Sequence, residues 1–501
     1  MKPILTAAEA AALDAAALGR GIEPAALMER AGDAVARAAL AVAGGRYGRR
    51  VTVVCGPGNN GGDGAVAARL LHAWGCAVEV VAVGGPPTRE PASAARRSLE
   101  ASGVPFLPFT RDGLARALAR SDAAVDALVG IGFHGPAEGD VAAAIAAIDD
   151  AGCPVVSVDV PSGLDATTGA VAGPVVRADA TVTMGALKAG LVLAPELAGH
   201  VEVAGIFPAD LVASDLGLVE AADIAALLPR RDAAAHKRSS GVVVAVGGSR
   251  RMPGAIAMAA RAAARAGAGL VQVAVPSGIL AVVERLVPEA TFLPLPETPS
   301  GGIADGDDAF AAAIARADAV VVGPGAGNEA PTARWIRSLV DGLAVPAVLD
   351  ADGLNAFAGA ALRARPAGLV VTPHVGEFLR LAEPGDPSPD GDRFAAARAL
   401  ARRTGATVLL KGPATVVAEP GGVARVNPTG DATLATAGTG DVLAGAIGAF
   451  LARGLAAGDA AVAAAYVHGL AGERAGAEMG EGTTAGDVLD RLAAAIGSVR
   501  T

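Results

Sequence analysis

Asn427–Ala446 reads NPTGDATLATAGTGDVLAGA, and the fold class and the chemistry both turn on how it is read. Small residues lead into Gly438-Thr439-Gly440-Asp441, and an apolar helical run, Val442–Leu451, follows at once. Glycines just before a helix let backbone N–H groups turn toward one point, and the helix N-terminus adds partial positive charge there. Such a turn is a seat for phosphate. Asp441 is the discordant member, because a carboxylate aimed at phosphate repels it. Two readings stay open here: Asp441 caps the helix, or it serves a hydroxyl brought close to the phosphate.

Around this stretch the chain has 501 residues, enough for two or three domains. Its 52% hydrophobic and 18% charged content excludes a disordered chain and leaves ample material for large cores. Aromatics make up only 3%, which argues against stacking platforms for single-stranded nucleic acid. A formal charge of −10 provides no basic footprint, so no nucleic-acid partner is expected. Cys55, Cys76 and Cys153 are odd in number and unevenly spaced, as in a reduced cytosolic protein. The six histidines never pair at metal-ligand spacing, so no zinc site is expected. Nothing behind Met1-Lys2-Pro3 resembles an apolar leader, and no uncharged apolar run can span a bilayer. A soluble cytoplasmic protein without a membrane partner is the expectation, and a homo-oligomer is expected as well.

Along the chain, Thr6–Leu18 and Pro24–Val42 are Ala-rich amphipathic stretches that predict two opening helices. Val51–Cys55 is a compact β-branched run with the character of a buried strand, followed by a glycine-rich loop and a helix over Ala65–Trp74. Strands are predicted at Val78–Val83, Ala123–Leu128 and Val155–Val160, with helices such as Val141–Ile148 between them. A second cycle has strands at Gly241–Val246, Leu270–Val275, Ala319–Val322, Ala347–Leu349, Gly368–Thr372 and Thr407–Leu410, with a helix at Ala255–Ala266. Alternation of strands and helices implies mostly parallel sheets covered on both faces. The main boundary is placed near residues 215–230, the charged segment Arg230–Arg238 has the composition of a linker, and Glu383–Asp392 reads as a surface loop.

In the first half, Gly56, Gly58 and Gly61 satisfy G-x-G-x-x-G after a strand, and Glu79 follows at about the spacing of a dinucleotide fingerprint. Two details count against that reading. Asn59-Asn60 and Gly62-Asp63 put amides and a carboxylate where the fingerprint needs a smooth helix entry, and Pro57 removes a backbone donor. Amide carbonyls and a carboxylate suit a hard cation, a ribose or an amide better than bare phosphate. Asp126 and Asp159 close two further strands and lead into Gly130–Pro136 and Pro161–Asp165. Carboxyl ends of parallel strands share one edge, so Asn60, Asp126, Asp159 and Ser162 can converge there.

GNNGGDG at Gly58–Gly64, VDVPSGLDATTG at Val158–Gly169 and ADATVTMGALKAGL at Ala178–Leu191 resemble the NAD(P)H-hydrate epimerase domain over most of residues 1–215. The resemblance implies that Asn59, Asn60, Gly61, Gly62 and Asp63 bind the hydrated nicotinamide dinucleotide together with Gly130, Ile131, Gly132, Phe133, His134, Gly135 and Pro136. It implies potassium at Asn60, Asp126 and Ser162. Asp159 is implied to contact the ligand and to act as an acid/base group. Arg30 stands where the family usually has Asn.

In the second half, GPGAGN at Gly323–Asn328, DADGLN at Asp350–Asn355, TPHVGE at Thr372–Glu377 and KGPAT at Lys411–Thr415 each follow a strand. Together they put acceptor, donor and charge at successive strand ends. No Gly-x4-Gly-Lys-Ser/Thr motif occurs, which excludes a P-loop NTPase. With GGSRRMPGAIAMAARAAARAGAGLV and NPTG…ATAGTGDVLAG, the ordered set is similar to the ADP/ATP-dependent NAD(P)H-hydrate dehydratase, a member of the ribokinase-like superfamily, over roughly residues 225–501. The expected architecture is therefore α/β, with an N-terminal Rossmann-like three-layer domain (1–220) followed by a ribokinase-like α/β domain (225–501).

On this resemblance Ala255, Gly327, His374 and Asp441 face the hydrated dinucleotide, with Asp441 catalytic. Lys411, Gly412, Pro413, Ala414, Thr415, Gly438, Thr439 and Gly440 hold the adenine nucleotide. ADP is the implied co-substrate, with Mg2+, and ATP is the other choice. Met252, Val375 and Asp431-Ala432-Thr433 depart from residues common in the family. The implied function is repair of hydrated NADH and NADPH, by epimerisation of the hydrate and nucleotide-driven loss of water. Competing readings are a ribokinase-like small-molecule kinase, a first domain that only binds, and a dehydrogenase resting on Gly56–Gly61 alone.

Overall fold

The computed structural model describes residues 1–230, 236–363 and 367–500. Residues 2–214 form one compact unit, and residues from Asp215 onward form another together with Met1. Within the segment Arg230–Arg238 expected as a linker, 231–235 lie outside the described residues. Among the described residues no helix is long and apolar enough to cross a membrane.

The N-terminal unit is built on a seven-stranded sheet. Its order is Phe106–Pro108, Ala77–Ala82, Arg50–Cys55, Ala123–Ala127, Val155–Val158, Ala180–Met184, His200–Ala204. All neighbours run parallel. From Arg50–Cys55 the chain first winds toward Phe106–Pro108 and then, from Ala123–Ala127, winds the other way. The crevice between these two strands is the topological switch point, where ligands of open α/β sheets bind. Asn60 and Asp126 flank it.

The C-terminal unit repeats the principle. Its strands run in the order Thr291–Leu295, Leu270–Pro276, Val242–Val246, Ala319–Val322, Ala347–Leu349, Leu369–Val371, Thr407–Leu410, Val416–Ala418, Ala424–Val426, Leu216–Leu218. Neighbours from Thr291–Leu295 through Thr407–Leu410 are parallel. Val416–Ala418 turns back antiparallel between Thr407–Leu410 and Ala424–Val426. The winding reverses between Val242–Val246 and Ala319–Val322, and the four motifs GPGAGN, DADGLN, TPHVGE and KGPAT sit at the carboxyl ends of four adjacent strands.

The expected α/β class with parallel sheets is what the structure has, and the differences lie at element ends and in strands that were not predicted. The two motif-bearing helices begin earlier than expected: Asn59–Ala73 rather than Ala65–Trp74, and Thr439–Ala452 rather than Val442–Leu451. In both, the glycine-rich motif is itself the first helical turn, and a glycine, Gly58 or Gly438, is the N-cap. Strand Val155–Val158 ends two residues sooner than expected, and Asp159 follows at φ 67°. The three-residue strands Phe106–Pro108, Val416–Ala418, Ala424–Val426 and Leu216–Leu218 were not predicted, nor were the five-residue strands Ala180–Met184, His200–Ala204 and Thr291–Leu295.

Close packing explains why glycine interrupts these helices. A methyl group on Gly61 would sit 1.9 Å from the Gly56 carbonyl oxygen, and one on Gly64 2.6 Å from the Ala127 side chain. In the C-terminal unit a methyl on Gly445 would lie 2.1 Å from the Ala259 carbonyl oxygen, and one on Gly448 2.4 Å from Val321. Helix Thr439–Ala452 is thereby pressed against helix Pro253–Arg265 and the sheet, and it is buried from Val442 to Ala452. Gly445→Ala must push two backbones apart and is expected to destabilise the C-terminal unit by about 2 kcal/mol. Gly497→Ala, with open space around it in helix Ala485–Val499, is expected to be neutral or to stabilise by about 0.5 kcal/mol. Urea midpoints of the two variants check the contrast, and equal midpoints would contradict it.

Candidate active sites

At the first switch point the chain assembles a set of oxygen donors. Asp126 is fully buried and accepts hydrogen bonds from Ser162 Oγ at 2.6 Å, the Ser162 backbone N–H at 2.9 Å and Ser157 Oγ at 2.9 Å. Burial pushes its carboxyl above the usual range, and these bonds offset that only in part. Among the described residues no Lys, Arg or His is ion-paired with it. Asn60 Nδ2 donates to the Val129 carbonyl at 3.1 Å, and the Val129 N–H donates to Ser162 Oγ at 3.1 Å. Asn60, Asp126 and Ser162 therefore meet around Val129. An amide oxygen, a carbonyl, a hydroxyl and a buried carboxylate with no cationic partner are a donor set that fits a hard monovalent ion.

Asp159 stands beside this set with a partner that the sequence reading gave no role. Lys188 Nζ, on a side chain only 1% exposed, donates to Asp159 Oδ1 at 2.7 Å. It also donates to Thr183 Oγ1 and to the Met184 and Ala186 carbonyls. Asp63 and Asp14 share the neighbourhood. Burial first, then the charges of Asp159 and Asp14, hold the Asp63 carboxyl well above its ordinary range. Partial desolvation first, then Asp159, raises Asp14, which lies at the surface, with Lys188 acting in the opposite sense. A lone Lys within ADATVTMGALKAGL carries no spacing signal, which is why it escaped notice.

Not every predicted residue joins this cluster. Phe133, partly buried, packs against the apolar group that includes Leu114 and Ile145. His134 is exposed and pairs through Nδ1 with Asp165 Oδ2 at 2.9 Å. Burial opposes the Asp165 charge, but His134 and the Thr168 and Thr167 amides outweigh it and lower its pKa. Glu79 pairs with Arg120 and lies opposite Thr52, three residues before the carboxyl end of its strand. It is thus about 10 Å from the ligand edge, and the dehydrogenase fingerprint lacks its acidic partner. Arg30, in the place of the family's Asn, donates to the Ile206 carbonyl at 3.0 Å.

In the C-terminal unit the strand ends converge on Lys411. Its ammonium donates to Asp350 Oδ1 at 2.9 Å and lies 3.6 Å from Glu377 Oε2. Asp350 also accepts from Thr372 Oγ1 at 2.7 Å. Burial works against the Lys411 charge, but Asp350, Glu377 and Asp441 outweigh it and raise its pKa. A methyl on Gly440 would lie 3.5 Å from Lys411 Nζ, so the ammonium borders the turn Gly438–Asp441. Asp441 is the third residue of its helix, not the cap. Burial, then Asp350, pushes its carboxyl up to about 7, with Lys411 pulling the other way and Asp352 adding to the rise. Asp352 in turn accepts from the Gly327 N–H at 2.8 Å.

The remaining predicted residues frame this centre. His374 is the N-cap of helix Val375–Leu381, its Nδ1 accepting from the Gly376 N–H at 3.0 Å while Glu377 returns a bond to the His374 N–H. Val375 occupies the first helical position, where the Pro common in the family and Val are both tolerated. Gly412 and Ala414 adopt φ 142° and 49°, and Arg393 clamps the loop by donating to the Leu410 and Lys411 carbonyls. Thr415 Oγ1 donates to the Gly412 carbonyl. Ala255 abuts Gly325 in the first turn of helix Pro253–Arg265, and Met252, the N-cap, is 43% exposed. Asp431 accepts from the Thr433 N–H and hydroxyl, so its extra carboxylate is engaged in its own turn. Among the described residues no three His, Cys, Asp or Glu side chains are grouped to hold a metal.

The family model described as NAD(P)H-hydrate dehydratase matches residues 243–493, and the model described as YjeF-related protein N-terminus matches residues 24–190. A protein of Moorella thermoacetica named bifunctional NAD(P)H-hydrate repair enzyme Nnr is 41% identical over 470 residues, spanning 90% of this chain and 88% of that protein. A protein of the same name from Salinibacter ruber is 40% identical over 481 residues, spanning 91% and 88%. Among solved structures, a ribokinase-like superfamily protein of Enterococcus faecalis shares the fold at TM-score 0.50 and 23% identity, covering 58% of this chain and 98% of that one.

The raised Asp441 carboxyl has a measurable consequence for stability. Between its unfolded value of about 4 and its folded value of about 7, the native state binds the proton more tightly than the unfolded state. Its stabilising contribution is present below about pH 4 and is lost as pH rises through about 7. Asp441→Asn cannot ionise, so the variant is expected to match wild type near pH 4 and to exceed it in urea midpoint near pH 8. Midpoints that stay equal across this range would show that the carboxyl is not desolvated.

Proposed function

The chain belongs to the family of bifunctional NAD(P)H-hydrate repair enzymes, and we propose that its two units divide the work, residues 2–214 epimerising the hydrate and residues from Asp215 dehydrating it. The repair reading accounts for both halves. A small-molecule kinase accounts only for the second and is not favoured by relatives matched across about nine-tenths of the chain.

The observation that carries the dehydration chemistry is a proton acceptor of pKa about 7 in the first turn of a glycine-capped helix, beside the Lys411 ammonium. Hydroxide is a poor leaving group and phosphate a good one. In this reading the hydrate's hydroxyl oxygen attacks the terminal phosphorus of the nucleotide, and its proton passes to Asp441. The bond from phosphorus to the nucleotide's bridging oxygen breaks, leaving AMP when ADP is the donor. Backbone N–H groups at Gly438–Gly440 and Lys411 stabilise the phosphoryl in transit. The C–O bond then breaks, phosphate leaves with the electron pair, the neighbouring ring carbon gives up a proton, and the nicotinamide double bond is restored. Lys411, Gly412, Pro413, Ala414 and Thr415 hold the nucleotide; Ala255, Gly327 and His374 face the hydrate. Magnesium on the phosphates would neutralise charge there.

For epimerisation, Asp159 with its Lys188 partner handles the hydroxyl proton while the hydrate ring opens and recloses on the other face. Potassium held by Asn60, Asp126 and Ser162 would supply fixed positive charge near the dinucleotide.

Asp441→Asn is expected to abolish nucleotide-dependent recovery of NADH absorbance while epimer exchange continues. Dehydration that survives this change would refute the role given to Asp441. Asp159→Ala is expected to slow epimer exchange by about a hundredfold or more, and rapid exchange in that variant would remove Asp159 from the mechanism. Following phosphate release alongside absorbance separates repair from a kinase, which would accumulate a stable phosphorylated product.

A further inference from the structure

Three adjacent strand ends carry Asp350, Thr372 and Lys411, and strand register brings their side chains together. In the parallel pair Ala347–Leu349 and Leu369–Val371, Leu349 lies opposite Val371, so Asp350 and Thr372 follow as neighbours one residue past each strand. Lys411 follows the next strand, Thr407–Leu410, and its backbone N–H donates to the Pro373 carbonyl at 2.8 Å. Thr372 and Asp350 are each only 1% exposed. Thr372 Oγ1 donates to Asp350 Oδ1 at 2.7 Å, and the same oxygen accepts from Lys411 Nζ at 2.9 Å. At 3.4 Å the Leu349 carbonyl is a longer alternative acceptor for that hydroxyl.

Lysine usually meets phosphate as a hydrated point charge on a flexible stem. Lys411 is more restrained. An ammonium has three N–H donors. One is spent on Asp350, and Glu377 Oε2 lies 3.6 Å from the nitrogen. Glu377 is itself buried, and its Oε2 accepts from the His374 N–H at 3.0 Å. The glycine turn borders the same nitrogen, since a methyl on Gly440 would lie 3.5 Å from Lys411 Nζ and 3.8 Å from Asp350 Oδ2. The Asp350 backbone is anchored too, its N–H donating to the Val322 carbonyl at 3.1 Å. Ala351 follows at φ 50°, a value that is costly for a non-glycine residue and persists only where the surroundings fix it. They do so here on both sides, through the Asp350 contacts and through Asp352, which accepts from the Gly327 N–H.

We propose that Thr372 and Asp350 are positioning residues for dehydration: the Thr372 hydroxyl fixes the Asp350 carboxylate, and that carboxylate fixes the Lys411 ammonium beside the turn Gly438–Asp441. This rests on the reading above that the turn is the reaction centre. Thr372 is enclosed at the strand end, so its hydroxyl acts on the phosphoryl group only through Asp350 and Lys411. If the hydroxyl merely filled space, the similarly shaped Val would replace it without loss. A tether needs the oxygen and is satisfied by Ser.

The test compares Thr372→Val, Thr372→Ser, Asp350→Ala and the double variant Thr372→Val/Asp350→Ala in the full chain. Nucleotide-dependent dehydration of hydrated NADH, epimer exchange and thermal unfolding are measured for each. Thr372→Val is expected to lower kcat for dehydration about tenfold or more, and Thr372→Ser to stay within about twofold of wild type. KM for the hydrate stays within about twofold in both, the unfolding midpoint within about 4 °C, and epimer exchange is unchanged. In the Asp350→Ala background the Thr372→Val change is expected to cost less than about twofold more, because the group it acts through is gone. Wild-type kcat in Thr372→Val would overturn the inference, as would a Ser variant as slow as Val. A loss that persists in full without Asp350 would also overturn it, since the hydroxyl would then act through the Leu349 carbonyl. A Thr372→Val or Asp350→Ala protein that does not fold would assign the pair to the scaffold and overturn it as well. A wild-type protein that shows no nucleotide-dependent dehydration would instead remove the reading of the turn itself.

Discussion

The contact between helix Thr439–Ala452 and the backbone of helix Pro253–Arg265 is the constraint on which the C-terminal unit depends. At Gly445 the two helices approach so closely that no side chain fits between them, and at Gly448 the sheet closes in from the other side. A helix held this tightly cannot tilt, so its first turn is fixed in place relative to the strand ends. The same device recurs in the N-terminal unit, where Gly61 and Gly64 seat helix Asn59–Ala73 against the turn at Gly56 and the strand Ala123–Ala127. In both units a rigid helix start, rather than a flexible loop, faces the edge where ligands bind. Preorganised donors of this kind need not be reoriented when charge develops.

Charge in the two units is arranged with equal economy. Lys411 answers Asp350, Glu377 and Asp441 at once, and Lys188 answers Asp159 with Asp14 and Asp63 close by. Each centre has more carboxylates than cations. The surplus falls on Asp441 in one unit and on Asp63 in the other, whose carboxyls are both raised. Asp441, pushed up to about 7, can exchange a proton near neutral pH, which is a common property of functional sites.

Much of this was legible in the sequence because its motifs are backbone motifs. GNNGGDG and GTGD announce close approach and exposed N–H groups whatever surrounds them, and parallel strands carry the ends of GPGAGN, DADGLN, TPHVGE and KGPAT to one edge. Side-chain partnerships were far less visible. Lys188 and Asp159 lie 29 positions apart and meet only because the chain folds back along Ala180–Met184. Lys411 and Asp350 are 61 apart. The first helical turns were misread as loops because glycine is a poor helix former, and here packing against the sheet overrides that propensity.

Gly445 and Gly448 lie one and two helical turns beyond Asp441, on the same rigid rod, in the interior of the unit. Damage to the core and damage to the chemistry are therefore not separable here in the way they are when catalytic groups hang on surface loops. A search for variants that have lost repair activity but still accumulate as protein will recover alanine and valine substitutions at such interior positions. Read as a map, those positions would trace the helix and its bed rather than the outline of a ligand.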